Sequence, residues 1–143
     1  MNELLEMIVC VEILANDLHY ESEGVAFYAN HLLADRVKED LDKTLDGLRE
    51  AYWLGELKVA PPPTDDTYRG AIELAKGIRG SYSGGDRNEA LVIRLREVAD
   101  LLLKKIEEVK RGDPLLSGTV AILDGLSTHM QTMYGLLDRT ARK

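Results

Sequence analysis

Apolar side chains recur along this chain with a helical period. Between residues 2 and 22 they fall at Leu4, Ile8, Val11, Ala15 and Leu18, steps of three and four that lay one stripe down a helix. Ser22-Glu23-Gly24 breaks the pattern, with Gly24 free to take a positive φ. From about Val25 to about Leu54 the chain reads as one long helix, its stripe running through Ala34, Val37, Leu41, Leu45, Leu48 and Tyr52. Gly55 suits the position after its C-cap. Pro61-Pro62-Pro63 enforces an extended segment, and Thr64-Asp65-Asp66 offers N-caps for a short amphipathic helix over 67–79. A loop follows from Gly80 to Gly85. Asp86 and Glu89 have capping-box spacing and open a helix to about Arg111, with Leu91, Leu95, Val98, Leu102, Ile106 and Val109 on one face. Gly112-Asp113-Pro114 stops it and starts a last helix over 115–140, striped by Leu116, Val120, Leu123, Leu126, Met130, Met133 and Leu137. The expectation is an all-α fold, a four-helix bundle with one short extra helix in the long connection between the second and third long helices.

Composition narrows the class. With 143 residues the chain fits one domain, and 45% hydrophobic with 30% charged residues is ordinary for a folded globular protein. A net charge of −7 disfavours attraction to nucleic acid or an anionic membrane. The first basic residue is Arg36, so no basic arm precedes the first helix, and Arg139, Arg142 and Lys143 suit a helix C-terminus. The lone Cys10 stands among Ile8, Val9 and Val11 and reads as a small buried hydrophobe without a disulfide partner. An acidic start (Glu3, Glu6), with no run of transmembrane length, gives neither a signal peptide nor a membrane span; the cytoplasm is the expected location.

The candidate chemistry lies on the second helix. Taking His31 as zero and about 100° per residue, Asp35 falls near 40°, Asp46 near 60° and Glu50 near 100°. The four share one flank, away from the apolar stripe at about 240–320°. His31 and Asp46 would stand roughly 22 Å apart along a continuous helix, too far to ligate one ion within one chain. The positions are nevertheless symmetric about a point between residues 40 and 41. Two copies packed antiparallel about a two-fold axis there would set His31 against a second copy's Glu50, and Asp35 against its Asp46. No Glu-x-x-His stands before His19, His31 or His129, which disfavours a di-iron core inside one bundle. His129, beside Met130 and Met133, reads as a core or interface histidine. Glu107, Glu108 and Asp113 are either ordinary surface charges or the lining of a cation-entry pore. A solvated polar flank is the plain alternative for the second helix.

Leu18-His19-Tyr20, Gly24, Phe27-Tyr28, His31, Asp35, Asp46, Glu50 and Leu54-Gly55 together resemble the ferroxidase region of the mini-ferritins, the DNA-protection-during-starvation (Dps) family within the ferritin-like proteins. In that family one histidine ends the first helix, a second follows twelve residues later, an aspartate four after that, and an Asp-x-x-x-Glu pair lies further on. The motif covers residues 18–55, and the helix pattern agrees along the whole chain. The resemblance implies a ferritin-like bundle and a homo-oligomer of two-fold dimers assembling into a hollow dodecamer. It implies that His19, His31 and Asp35 of one subunit and Asp46 and Glu50 of its mate form a site that oxidises Fe²⁺ to Fe³⁺, with peroxide or oxygen as oxidant, and that the ferric mineral is stored inside. Carboxylates suit ferric iron and imidazole holds Fe²⁺; the set leaves room for a second iron, and Zn²⁺ is a substitute the same donors accept. Family members that bind DNA directly do so with a basic tail, absent ahead of the first helix here, so direct DNA binding is not expected. Tyr20 stands where many members carry tryptophan; for it, Tyr52 and Trp53 the expectation is packing in the core or an interface ahead of a radical-sink role.

Overall fold

A computed structural model describes residues 1–142. Helices dominate it, and no strand occurs among the described residues. In chain order they are α1 (Asn2–Glu21), α2 (Phe27–Lys38), α3 (Leu41–Leu48), α4 (Thr64–Ser81), α5 (Arg87–Arg111) and α6 (Ser117–Ala141). A short 3₁₀ turn at Gly24–Ala26 leads into α2, and a π-helical stretch at Arg49–Leu57 continues α3.

α1 packs against α2, α4 and α5; α5 packs against α6; α3 and its π-helical extension return to α6. This closes a ring of four helical elements, with α4 on the outside of α1. Being covered on three sides, α1 buries not only Leu4, Ile8, Val11, Ala15 and Leu18 but also Leu5, Val9, Cys10 and Leu14. A helix that is apolar almost all round is one with neighbours almost all round. Small residues on α4, Thr67, Ala71 and Ala75, let it lie close to α1. A bidentate ion pair from Arg79 to Asp17 at 2.8 and 3.0 Å then pins the two together. The buried stripes of α5 and α6 follow the expected period, except that Val109 and Val120 are only partly buried, Leu116 is 61% exposed and Thr119 is buried. The last helix starts at Ser117, two residues after the expected point. Glu56 Oε1 accepts from Leu116 N–H and Thr119 O–H, both at 3.0 Å, and so caps its start.

The long second helix is not continuous. Glu39 (φ −54°, ψ 128°) and Asp40 (φ 63°, ψ 6°) have the dihedrals of a type II turn, which separates α2 from α3. The apolar stripe nonetheless continues across the turn, since Ala34, Val37, Leu41, Leu45 and Leu48 are all buried. Helix termination differs too. The chain runs through Gly55 in π-helical geometry and stops at Lys58, whose φ of 59° is left-handed, with Val59 N–H donating to Trp53 C=O at 2.9 Å. No helix is long and apolar enough to cross a membrane among the described residues.

Candidate metal centre

The end of α1 and the start of α2 meet across the turn at residues 22–26. Ser22 O–H donates to Leu18 C=O at 2.7 Å, satisfying a carbonyl in the last turn of α1. Gly24 takes φ +73°, a left-handed conformation that glycine adopts without the Cβ clash. The reversal sets His19 against His31. Their rings stack with centroids 3.7 Å apart and planes 30° apart. Tyr20 meets His19 edge-on at 4.4 Å, and Phe27 lies 5.4 Å from His31.

Hydrogen bonding fixes which nitrogens are available. His31 Nδ1–H donates to the His19 carbonyl at 3.1 Å. A carbonyl only accepts, so Nδ1 carries a proton and Nε2 is the nitrogen left to face a ligand. His19 Nδ1 lies 3.0 Å from Asp35 Oδ1, with side chains 11% and 52% exposed. That nitrogen is buried and makes no properly oriented hydrogen bond, despite the close carboxylate. Ligand atoms of His19, His31 and Asp35 all lie within 4.8 Å of one another. Two imidazoles and a carboxylate in this arrangement suit a borderline divalent ion such as Fe²⁺, Zn²⁺ or Co²⁺, and three donors leave coordination positions open. Lys38 Nζ stands 3.7 Å from Asp35 Oδ1 and donates to Asn16 Oδ1 at 2.9 Å, so a bound cation would share Asp35 with an ammonium.

Asp46 and Glu50 lie elsewhere. Both are exposed, beyond the Asp40 turn, and line a groove of about 740 Å³ between α3 and α6 with Gly47, Ile122, Gly125 and His129. The continuous helix on which the wheel arithmetic rested is broken at Asp40; among the described residues, His19, His31 and Asp35 converge within the chain. His129 has a structural task, since its Nε2–H donates to Val37 C=O at 3.0 Å. That carbonyl belongs to the last turn of α2, where helix carbonyls lack an intrahelical donor. Trp53 is 5% exposed and belongs to the core, whereas Tyr20 is 74% exposed and does not. Glu107, Glu108 and Asp113 are exposed, and Glu108 pairs with Lys105 at 3.1 Å.

No protein-family model matches the chain, and no curated protein or solved structure matches it either.

One ionisable cluster escaped the sequence reading. Glu12 on α1 faces Asp42 on α3, near Arg49 and Lys38; burial first, then Asp42, pushes its carboxyl from the usual 4.5 up to about 7. Glu12 Oε1 and Arg49 Nε and Nη2 are buried without hydrogen-bond partners. The signal was present in the sequence: Glu12 stands four residues after Ile8 and three before Ala15, on the core side of α1.

Proposed function

We propose that the chain is an iron-oxidising, iron-storing protein of the mini-ferritin kind, acting as a ferroxidase at sites shared between two copies. The observation that carries this reading is the convergence of His19, His31 and Asp35 around a buried, unbonded imidazole nitrogen, with Asp46 and Glu50 held apart from them on the same chain. Fe²⁺ is the substrate. His19 and His31 hold it through neutral nitrogens, Asp35 supplies one negative charge, and a second copy's Asp46 and Glu50 supply the further carboxylates that favour the ferric product. Peroxide oxidation of two Fe²⁺ consumes two protons and gives two Fe³⁺ and two waters. A two-electron oxidant therefore favours two irons close together. The ring of four helical elements is consistent with a ferritin-like bundle. Exposed Tyr20, Val25, Tyr28 and Leu32 beside the cluster suit a surface covered by a second copy. Two-fold dimers assembling to a dodecamer would have a native mass of about 190 kDa from 16.0 kDa chains.

A structural metal site in a helical oligomer, without iron turnover, is the rival. Lys38 near Asp35 favours it, because an ammonium already partly neutralises the carboxylate. Aerobic addition of Fe²⁺ separates the two: the ferroxidase reading expects a saturable ferric absorbance, lost in His31→Ala combined with Asp46→Ala. Slow autoxidation unchanged by these substitutions supports the rival. Sharing between copies has its own test. Neither His31→Ala nor Glu50→Ala chains form a complete site alone. A mixed dimer of the two contains one intact site, so random co-refolding of equal amounts restores about a quarter of the sites. No recovery in verified mixed dimers overturns the shared site.

A further inference from the structure

The three candidate ligands sit on two helices joined by a five-residue turn, and beyond the buried Ser22 that turn has little packing of its own. Glu23 and Gly24 are exposed, and Val25 projects fully into solvent. It is held instead from α5. Asn88 Oδ1 accepts from Glu23 N–H at 2.9 Å, and Asn88 Nδ2–H donates to Glu23 C=O at 2.6 Å. The two bonds define the amide's orientation, since an N–H needs the oxygen and a carbonyl needs the nitrogen. The side chain thus reads both polar groups of one residue in the turn, as a neighbouring strand would. Beside it, Arg87 reaches Glu21 at 2.7 Å, and Asp86 accepts from Glu89 N–H at 2.9 Å, capping α5. The first turn of α5 is therefore a firm base from which Asn88 acts.

We propose that Asn88 is a positioning residue for the metal centre, setting the distance and tilt between the His19 and His31 imidazoles through the 22–26 turn; this rests on the reading of His19, His31 and Asp35 as metal ligands. Asn88 touches no ligand atom. It acts on the backbone of Glu23, four residues after His19 and eight before His31. The His31 Nδ1–H bond to the His19 carbonyl spans the same turn, so a shift of the turn moves a ligand ring and the carbonyl that orients it together.

The test uses Co²⁺ as probe with the full chain. Asn88→Ala is expected to weaken Co²⁺ binding by about tenfold and to change the visible absorption of the bound ion, as loss of an orienting residue does. Asn88→Asp keeps the acceptor for Glu23 N–H but not the donor, so it should fall between wild type and Asn88→Ala; it also decides the matter should Asn88→Ala not fold. Arg94→Ala removes a comparable side-chain bond on α5, from Arg94 Nε to Tyr82 C=O at 2.8 Å, and should leave Co²⁺ binding unchanged. A metal-free readout separates the two layers of the argument. The stacked rings shift each other's carbon-bound proton resonances, and Asn88→Ala should move those resonances toward the values of isolated imidazoles. If wild type binds no Co²⁺ but the resonances move, the metal reading fails and the positioning role stands. Folded Asn88→Ala with unchanged resonances and unchanged Co²⁺ affinity overturns the proposal, as does an equal loss of affinity in Arg94→Ala.

Discussion

Two polar clusters lie between α1 and the broken second element, one on each side of the Asp40 turn, and they resolve the cost of burying polar groups in different ways. Upstream, His19, His31 and Asp35 bring lone pairs together; His31 spends its one N–H on a backbone carbonyl and His19 Nδ1 stays unbonded. Downstream, Glu12 faces Asp42 with two Arg49 nitrogens buried and unbonded nearby. The upstream set is one that a cation would complete. The downstream set is one that a proton completes, because holding a proton on Glu12 removes a buried negative charge beside another carboxylate. The same kind of location, an α1 flank facing the second element, thus gives a candidate ligand set where imidazoles contribute and a proton-holding carboxyl, Glu12, where Asp42 faces it beside Arg49 and Lys38.

Exchanging the perturbations breaks this comparison if it is wrong. The largest expected effect is on metal affinity. His19→Ala should weaken Co²⁺ or Zn²⁺ binding by about 100-fold, near 2.7 kcal/mol, as removal of a direct ligand does, while Glu12→Gln leaves it within about twofold. Titration calorimetry measures both; equal losses would mean the two clusters form one site.

Next comes the pH dependence of stability. Glu12 has a folded-state value of about 7 against the usual 4.5, so between these pH values the folded chain holds a proton the unfolded chain has released. Stability from this group is therefore highest at and below about pH 4.5, falls as pH rises toward 7, and stays low above it. Because the group is only half-buried, the expected loss is discounted to about 1–2 kcal/mol. Glu12→Gln should melt a few degrees higher than wild type at pH 8 and nearly level with it at pH 4.5. A constant difference in Tm across that range would show that Glu12 does not titrate as stated.

Much of the architecture was legible because burial obeys the helical period. Leu4 to Leu18 on α1, Leu91 to Ile106 on α5 and Leu123 to Leu137 on α6 follow it almost without exception, and the triproline and Gly-rich stretches punctuate where expected. The break in the second element was not legible. Lys38-Glu39-Asp40 contains no glycine or proline, and the stripe from Val37 to Leu41 keeps its four-residue step across the turn. Nor was the π-helical stretch, a geometry without a sequence signature of its own. At the candidate site, His31 and Asp35 were readable from their four-residue spacing and His19 from the resemblance, and all three lie on one side of the break. Any relation of Asp46 and Glu50 to them was inferred across it. Asn88 could not be found from sequence, since its partner, Glu23, is 65 residues away.

The smallest effect bears on the turn that divides the two clusters. Asp40 sits at φ 63°, where a side chain crowds the following carbonyl and costs roughly 1–2 kcal/mol, less for Asp than for most residues. Asp40→Ala should destabilise by about 1 kcal/mol, since alanine retains the crowding and favours the continuous helix that the turn interrupts. Asp40→Gly removes the Cβ but gives the unfolded chain more freedom, so the net gain should be near 0.5 kcal/mol. Chemical denaturation resolves the order Gly, Asp, Ala. If Ala is instead the most stable and helicity rises with it, the second element is continuous in solution. The turn that divides the two clusters would then be absent, and Asp46 would share the flank of His31 roughly 22 Å further along one helix.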